Sequence, residues 1–275
     1  MWRPYVFIIL LLSIWVFPGR AQESEIDAAQ IVRRHVEARG GAEALRRVET
    51  VRQRGHLSLN GQLYPVTIYF KRPGRYRFEM SLPDGKTAVA AWDGETGWMD
   101  NILTWRMGIP KMDRSPLLKI PTDEALRRLV EDDGDFFGPL ADYQAKGHQV
   151  ELMDSTEVDG TPVYHLQVTL KSGRVQHWYL DQDTATVVKK KTPQLDVFMG
   201  SYERIWYYDD YRQVAGILFP FFSEREDVQF IRDFEIDEIE VNGKLDDTLF
   251  TLPPARKGSL IRPPEPGETP FFYLW

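Results

Sequence analysis

Alternation of apolar and polar side chains constrains this chain more than any other feature. Val66, Ile68 and Phe70 alternate with Thr67, Tyr69 and Lys71, and Tyr76, Phe78 and Met80 alternate with Arg75, Arg77 and Glu79. The pattern returns in Tyr164, Leu166, Val168 and Leu170, set against His165, Gln167, Thr169 and Lys171. A period of two sends alternate side chains to opposite faces of a strand, so these segments require a sheet with one apolar and one wet face. The pairs Asn60-Gly61, Asp84-Gly85, Asp93-Gly94, Asp159-Gly160, Ser172-Gly173 and Asn242-Gly243 fall between or beside such runs. Glycine relieves the strain of positive φ in tight turns, and the whole reads as an antiparallel hairpin meander. Phe234 and Ile236 share one parity while Ile239 and Val241 share the other. That switch predicts a bulge near Asp237 rather than a strand turning its core face to water, and a bulged sheet curls.

Two helices precede the meander. From Glu25 to Ala38, Ala28, Val32 and Val36 recur at intervals of four with Ile31 beside them, and Gly40-Gly41 ends the run. A shorter helix over Ala42 to Val48 follows. Between Trp98 and Leu118 the chain is apolar without either period, and it leads into a helix predicted over Thr122 to Glu131. This stretch reads as a cover over the sheet. Prolines at 253, 254, 263, 264, 266 and 270 leave residues 255–275 as an extended tail that ends in Phe271-Phe272-Tyr273-Leu274-Trp275. No internal repeat is visible.

The first residues bear on location. Arg3 precedes an apolar run from Val6 to Val16, Pro18 breaks it, and Gly19-Arg20-Ala21 supplies small residues before Gln22. Residues 1–21 read as a signal peptide; a retained anchor is the alternative, but the run is shorter than the roughly 18 residues a span needs. The expected organisation is a leader over 1–21, one domain over 22–254 and the tail over 255–275, working in the periplasm as a monomer. With no cysteine, the chain has neither disulfides nor an acylated lipoprotein cysteine. Loss of Arg3 and Arg20 with the leader takes the formal charge from -7 to -9, which argues against nucleic acid or an anionic membrane as partner. Aromatic residues make up 13%, either an apolar surface that accepts something or simply strand formers.

No constellation for catalysis stands out, and the chain reads as a binding protein rather than an enzyme. His35, His56, His148, His165 and His177 show no close ligand spacing, so no metal and no cofactor is expected. His165 and His177 can face each other across the Ser172-Gly173 hairpin as a solvated pair. The run Glu131-Asp132-Asp133-Gly134-Asp135 lacks the glycine offset and closing glutamate of a calcium loop and reads as a solvated helix end. Ser58, Ser115 and Ser201 lack a nucleophile-elbow context. Lys189-Lys190-Lys191 reads as a charged edge or hairpin that discourages edge pairing, with an anionic docking patch as the alternative. Met99, Met107 and Met112 either fill the core or adapt to variable hydrocarbon. At about 0.8 kcal/mol per buried methylene, one long acyl chain represents on the order of 10 kcal/mol, so moving it through water requires an enclosure.

At Lys71-Arg72-Pro73-Gly74, which closes one alternating strand and opens the next, the chain resembles the outer-membrane lipoprotein-sorting proteins of the LolA/LolB type. The order of features carries the resemblance: a first helix, the Lys-Arg-Pro strand, Trp92-Asp93-Gly94-Glu95-Thr96-Gly97-Trp98, and Phe250-Thr251-Leu252-Pro253-Pro254 at the close. It covers roughly Ile26 to Pro254 and implies an α+β fold, a strongly curved antiparallel sheet forming an incomplete β-barrel capped by helices. The implied function is that of a soluble carrier holding the acyl chains of lipoproteins, or a related envelope lipid, between an inner-membrane release machine and an outer-membrane receptor. An envelope-stress sensor with the same lipid-binding domain is the alternative. Candidate lining residues are Ile68, Phe70, Tyr76, Phe78 and Met80, with Trp92, Trp98 and Met99 near the rim or lid. The resemblance implies gating for Arg72, whose residue-level alternative is an exposed guanidinium before a turn-forming proline.

Overall fold

The computed structural model describes residues 26–59, 61–100, 117–120, 137–196, 200–226, 231–253 and 260–261. The leader over 1–21, the helix expected over Thr122–Glu131, Met107, Met112, the acidic run and the Phe271–Trp275 end lie outside these residues.

Helix α1 (Ala28–Ala38) begins at Asp27, whose side chain accepts from the Gln30 N–H at 2.7 Å, while Gln30 accepts from the Asp27 N–H at 3.2 Å. This reciprocal cap satisfies two of the donors that a helix start leaves open. Ile31, Val32 and His35 are its buried residues. Gly40 (φ +117°) and Gly41 (φ +88°) turn the chain into α2 (Ala42–Arg46). A Cβ on Gly40 would stand 2.4 Å from the Gly216 carbonyl oxygen, so glycine is required there for packing as well as for conformation.

A meander follows: β1 (Thr50–Leu59), β2 (Gln62–Lys71), β3 (Arg75–Ser81), β4 (Thr87–Trp92), β5 (Gly97–Asp100) and β6 (Leu117–Ile120). A second runs through β7 (Gln149–Val158), β8 (Thr161–Thr169), β9 (Val175–Asp181), β10 (Val187–Asp196), β11 (Gly200–Val214), β12 (Ile217–Glu226) and β13 (Ile231–Val241). The short β14 (Leu260–Ile261) pairs parallel with β6, so part of the expected tail joins the sheet. The spatial order is β14-β6-β5-β4-β3-β2-β1-β13-β12-β11-β10-β9-β8-β7, with β1 and β13 as the seam between the two meanders. All other neighbours are antiparallel. The end strands β14 and β7 do not pair with each other, leaving an incomplete barrel.

The seam contains the predicted bulge. Arg54 faces Glu238 and Gly55 faces Ile236, so Asp237 is the extra residue. Helices α1 and α2 lie on the apolar face. Val36 packs both against a cluster with Leu166, Leu180 and Val187 and against one with Val51, Ile217 and Phe219. Those residues come from strands up to six places apart, which at about 4.8 Å per strand a flat sheet could not bring to one side chain. The sheet curls around the helices, as the α+β curved-sheet expectation required.

Two expectations give way. Lys189-Lys190-Lys191 is no edge: β10 lies between β9 and β11, and both its sides are paired. The stretch from Trp98 to Leu118 is not a cover throughout, because Trp98 and Met99 belong to β5 and Leu117 and Leu118 to β6.

Candidate functional site

Facing residues of an antiparallel ladder project from the same side, so the register sorts side chains by face. Leu57 faces Tyr64, Val66 faces Met80, Met80 faces Ala88, and Ala90 faces Met99. On the other side of β1, Leu57 faces Phe234. These residues form one buried apolar cluster, with Phe78, Trp92 and Trp206 packed against it. An apolar cluster therefore runs across the face from β13 to β5, with Gln53, opposite Ile68, as a polar residue of the same parity on β1. Ala88 and Ala90 present only methyl groups where the adjacent strand carries Met80 and Phe78.

Of the residues read from the sequence, Ile68, Phe70, Tyr76, Phe78, Met80, Trp92 and Met99 share this inward parity. Phe70 and Tyr76 meet edge to face at 5.4 Å. Trp98 does not join them. It projects from the opposite face with Val89 and Ala91, is 2% exposed, and donates from Nε1 to the Phe250 carbonyl at 2.9 Å. The cause is parity: Trp98 follows Gly97, which pairs with the inward Trp92, and precedes the inward Met99. Its indole is core beneath residues 250–252 and not part of a rim.

Arg72 sits in the turn between β2 and β3. Its Nε donates to the Val48 carbonyl at 2.7 Å and Nη2 to the Leu45 carbonyl at 3.0 Å, so it satisfies carbonyls at the end of α2. The same guanidinium lies 5.6 Å from the centroid of the Phe137 ring, which packs among Leu45, Val51 and Phe219. Lys71 points elsewhere: its Nζ donates to the Leu245 carbonyl at 2.9 Å and to Asp247, which Arg75 also reaches at 2.6 Å. These two donors hold the Asp247 carboxyl below its usual pKa.

Beyond β13 the inward face changes character. Lys190, Trp206, Arg225 and Arg232 occupy successive facing positions on β10, β11, β12 and β13. Trp178 extends that row on β9, and Arg204, facing Thr192, stands one inward position along. The Lys190 ammonium lies 5.5 Å from the Trp178 centroid and 5.4 Å from that of Trp206, and the Arg225 guanidinium is 5.3 Å from Trp206. Gln176, Thr192 and Gln194 are buried around them. Sequence reasoning missed this group. The signal was present: Lys190, Thr192 and Gln194 share one parity, and it is the parity that faces inward.

The histidine pair lies on the outer face. His165 Nε2 and His177 Nδ1 are 2.9 Å apart, and His165 Nδ1 is 2.9 Å from an Asp154 carboxylate oxygen. Among the described residues no group of three or more His, Asp or Glu side chains is placed to hold a metal. None of the described helices is long and apolar enough to cross a membrane.

Comparison with known proteins bears on the fold. The sequence matches no protein-family profile and no curated protein. Solved structures do match. A LolA superfamily protein from Nitrosomonas europaea superposes with a TM-score of 0.52 at 13% identity, covering 83% of this chain and 99% of that one. A DUF1329 family protein from Desulfovibrio piger gives 0.53 at 12% identity over 82% and 98% of the two chains. A domain from Vibrio parahaemolyticus described as an outer membrane lipoprotein-sorting protein gives 0.51 at 11% identity over 81% and 95%. At these identities the likeness is one of fold, and the fold is LolA-like.

Proposed function

We propose that this chain is a periplasmic carrier that binds the acyl chains of lipoproteins, or of a related envelope lipid, on the inward face of its sheet. The observation that supports it most is the apolar cluster that runs across the inward face from Phe234 on β13 to Met99 on β5, with the small Ala88 and Ala90 on β4. Hydrocarbon needs no directional partner, only a surface from which water is excluded. In this reading Ile68, Phe70, Tyr76, Phe78, Met80, Trp92 and Met99 contribute to the lining, and Trp98 is set aside. Residues 1–21 are removed on export, 22–254 form the carrier and 255–275 its tail. A monomer takes cargo from an inner-membrane release machine and passes it to an outer-membrane receptor without a covalent step. Arg72 gates the exchange by holding α2 against the end of the sheet.

Native mass spectrometry of the gently purified protein tests the reading. An acylated mass that leaves on incubation with phospholipid vesicles is the expected result. Protein that emerges empty and takes up no acylated molecule from vesicles overturns it.

A further inference from the structure

Strand β7, at the end of the sheet, carries one residue more than its partner. Leu152 faces Leu166 and Asp154 faces His165, so Met153 is the extra residue of a bulge, and it stands 50% exposed. Without the bulge Met153 would face His165. A bulge on an end strand discourages pairing with another chain, and this one also re-aims a side chain, setting a carboxylate against an imidazole.

Three neighbouring strands then supply one residue each. His165 Nδ1 on β8 lies 2.9 Å from an Asp154 carboxylate oxygen on β7, and His165 Nε2 lies 2.9 Å from His177 Nδ1 on β9. The two imidazoles meet on the diagonal, since His165 faces Tyr179 and His177 faces Gln167. Tyr179 stacks on His165 with centroids 4.5 Å apart and planes 10° from parallel, which holds the ring while its side chain keeps 17% exposure. Of the charged groups nearby, Lys191 pairs with Glu203 at 3.5 Å and Lys189 lies over Tyr179, so Asp154 is the one in direct contact with an imidazole.

A metal-bound imidazole characteristically donates its other N–H to a carboxylate, which fixes the tautomer and makes the ligating nitrogen more basic. Asp154 stands in that relation to His165. The spacing of the two remaining nitrogens then selects a geometry. With metal–nitrogen bonds of about 2.0–2.1 Å, two ligands at a right angle stand about 2.8–3.0 Å apart, and two at the tetrahedral angle about 3.3–3.4 Å. The observed 2.9 Å is the right-angle value. Tetragonal sites of nitrogen and oxygen donors suit Cu(II) or Ni(II), and Cu(II) binds the tighter.

We propose that His165 and His177 form a two-imidazole site for Cu(II), with Asp154 as the carboxylate behind His165 and water at the remaining positions. The rings rotate so that their lone pairs turn from each other toward one ion on the solvent side. His177 moves its proton from Nδ1 to Nε2 through solvent, so both imidazoles stay neutral. Two protein ligands suffice, in keeping with the absence of a three-ligand group among the described residues. The expectation of no metal rested on spacing along the chain, whereas the β8–β9 hairpin makes neighbours of residues twelve apart. The site lies on the outer face and is independent of the carrier reading.

The test titrates tag-free, chelator-stripped protein with copper sulfate at pH 7.5 against glycine as competing chelator, alongside His165→Gln, His177→Gln, the double variant and Asp154→Ala. One equivalent per chain is expected, with nitrogen splitting from two imidazoles in the frozen-solution electron paramagnetic resonance spectrum. Each single histidine variant is expected to weaken binding tenfold or more and to lose one of the two nitrogens. Asp154→Ala is expected to weaken it roughly tenfold while both nitrogens remain in the spectrum, the mark of a positioning residue. A wild-type chain that leaves all its copper with glycine, or whose spectrum lacks nitrogen splitting, overturns the site whatever the variants do. So does a double variant that binds copper as tightly as the parent. Zn(II) held as tightly as Cu(II) overturns the choice of ion.

Discussion

Arg72 and Val48 are joined by a 2.7 Å hydrogen bond from the guanidinium Nε to a backbone carbonyl, and a second bond runs to Leu45. The turn between β2 and β3 is thereby fastened to the end of α2, an element of only five residues whose own hydrogen bonds could not maintain it. Replacing Arg72 by Leu is expected to lower stability by roughly 1–2 kcal/mol, since charged donors to buried carbonyls contribute on that scale and this side chain is partly solvated. Arg72→Lys should recover only part of the loss, because one ammonium cannot reproduce the two-carbonyl fork. Urea unfolding followed by far-ultraviolet circular dichroism measures both. Amide exchange over residues 42–48 should accelerate in Arg72→Leu, and an unchanged rate there refutes the fastening.

Gly55 marks the tightest approach along the seam. A Cβ at this position would lie 1.9 Å from the Glu235 carbonyl oxygen, a backbone atom that cannot rotate away. Gly55→Ala must push β1 and β13 apart where the two meanders meet, at an expected loss of about 2–4 kcal/mol. Gly243 gives the contrast: a Cβ there would stand 2.1 Å from a Glu240 carboxylate oxygen, the far end of a flexible side chain. Gly243→Ala should therefore stay within about 1 kcal/mol of the parent. Thermal unfolding of the two variants side by side checks the ordering, and equal losses would contradict it.

The parts of the fold that were readable from sequence are those in which one face is apolar and the other polar. The strands later found as β2, β3, β8 and β13 obey period two, and even the bulge at Asp237 followed from a parity switch. The strands β11 and β12 were not recognised, and Lys189–Lys191 of β10 read as a charged edge or hairpin although the strand is paired on both sides. On β10 the inward residues Lys190, Thr192 and Gln194 are polar, so alternation disappears although the strand is central. On β11 Trp206, Tyr207 and Tyr208 place aromatic groups on both faces, and Asp210 at φ +50° drops out of the ladder between Asp209 and Tyr211 while the register is kept. The turn to β12 is Ala215-Gly216, with Ala215 at φ +52°, a pair that carries little turn signal. The cationic row was missed for the same reason that its strands were. Polar and cationic residues at inward positions do not look like a core face, and binary patterning reads them as facing solvent.

His35, on the buried face of α1, donates from Nδ1 to the Ala185 carbonyl at 2.8 Å. Burial above all, with the nearby Arg39 charge in support and the carbonyl opposing, lowers its pKa from 6.5 to about 4. The folded state thus holds a neutral imidazole while the unfolded chain takes up a proton below pH 6.5. Stability from this group is complete above pH 6.5 and is lost as the pH falls from there toward about 4, where the loss levels off. The expected decline over that window is on the order of 3 kcal/mol. His35→Gln, which can keep a donor to Ala185, should flatten the curve between those limits. Denaturant midpoints at several pH values measure it, and parallel curves for the two proteins would exclude His35 as the source.

The outer-face chain Asp154–His165–His177 has a direction set by its acceptor end. Asp154 can accept but not donate when ionised, so His165 carries its proton on Nδ1 and presents Nε2 as an acceptor. That lone pair receives the Nδ1–H of His177, 2.9 Å away. Burial lowers the His177 pKa, with the His165 charge adding to the effect and Glu203 opposing it. His177 should accordingly titrate below pH 6.5 in the folded protein, and its contribution to stability should fade as the pH falls from 6.5 toward that lower value. Asp154→Ala removes the group that fixes the His165 tautomer, while the stacking of His165 on Tyr179 at 4.5 Å keeps the ring in place. Long-range proton–nitrogen correlation spectra at pH 8 should show protonated Nδ1 on both histidines of the parent and a mixture of tautomers at His165 in the variant. A His165 protonated on Nε2 in the parent would reverse the direction of the chain and remove the basis for the Asp154 effect.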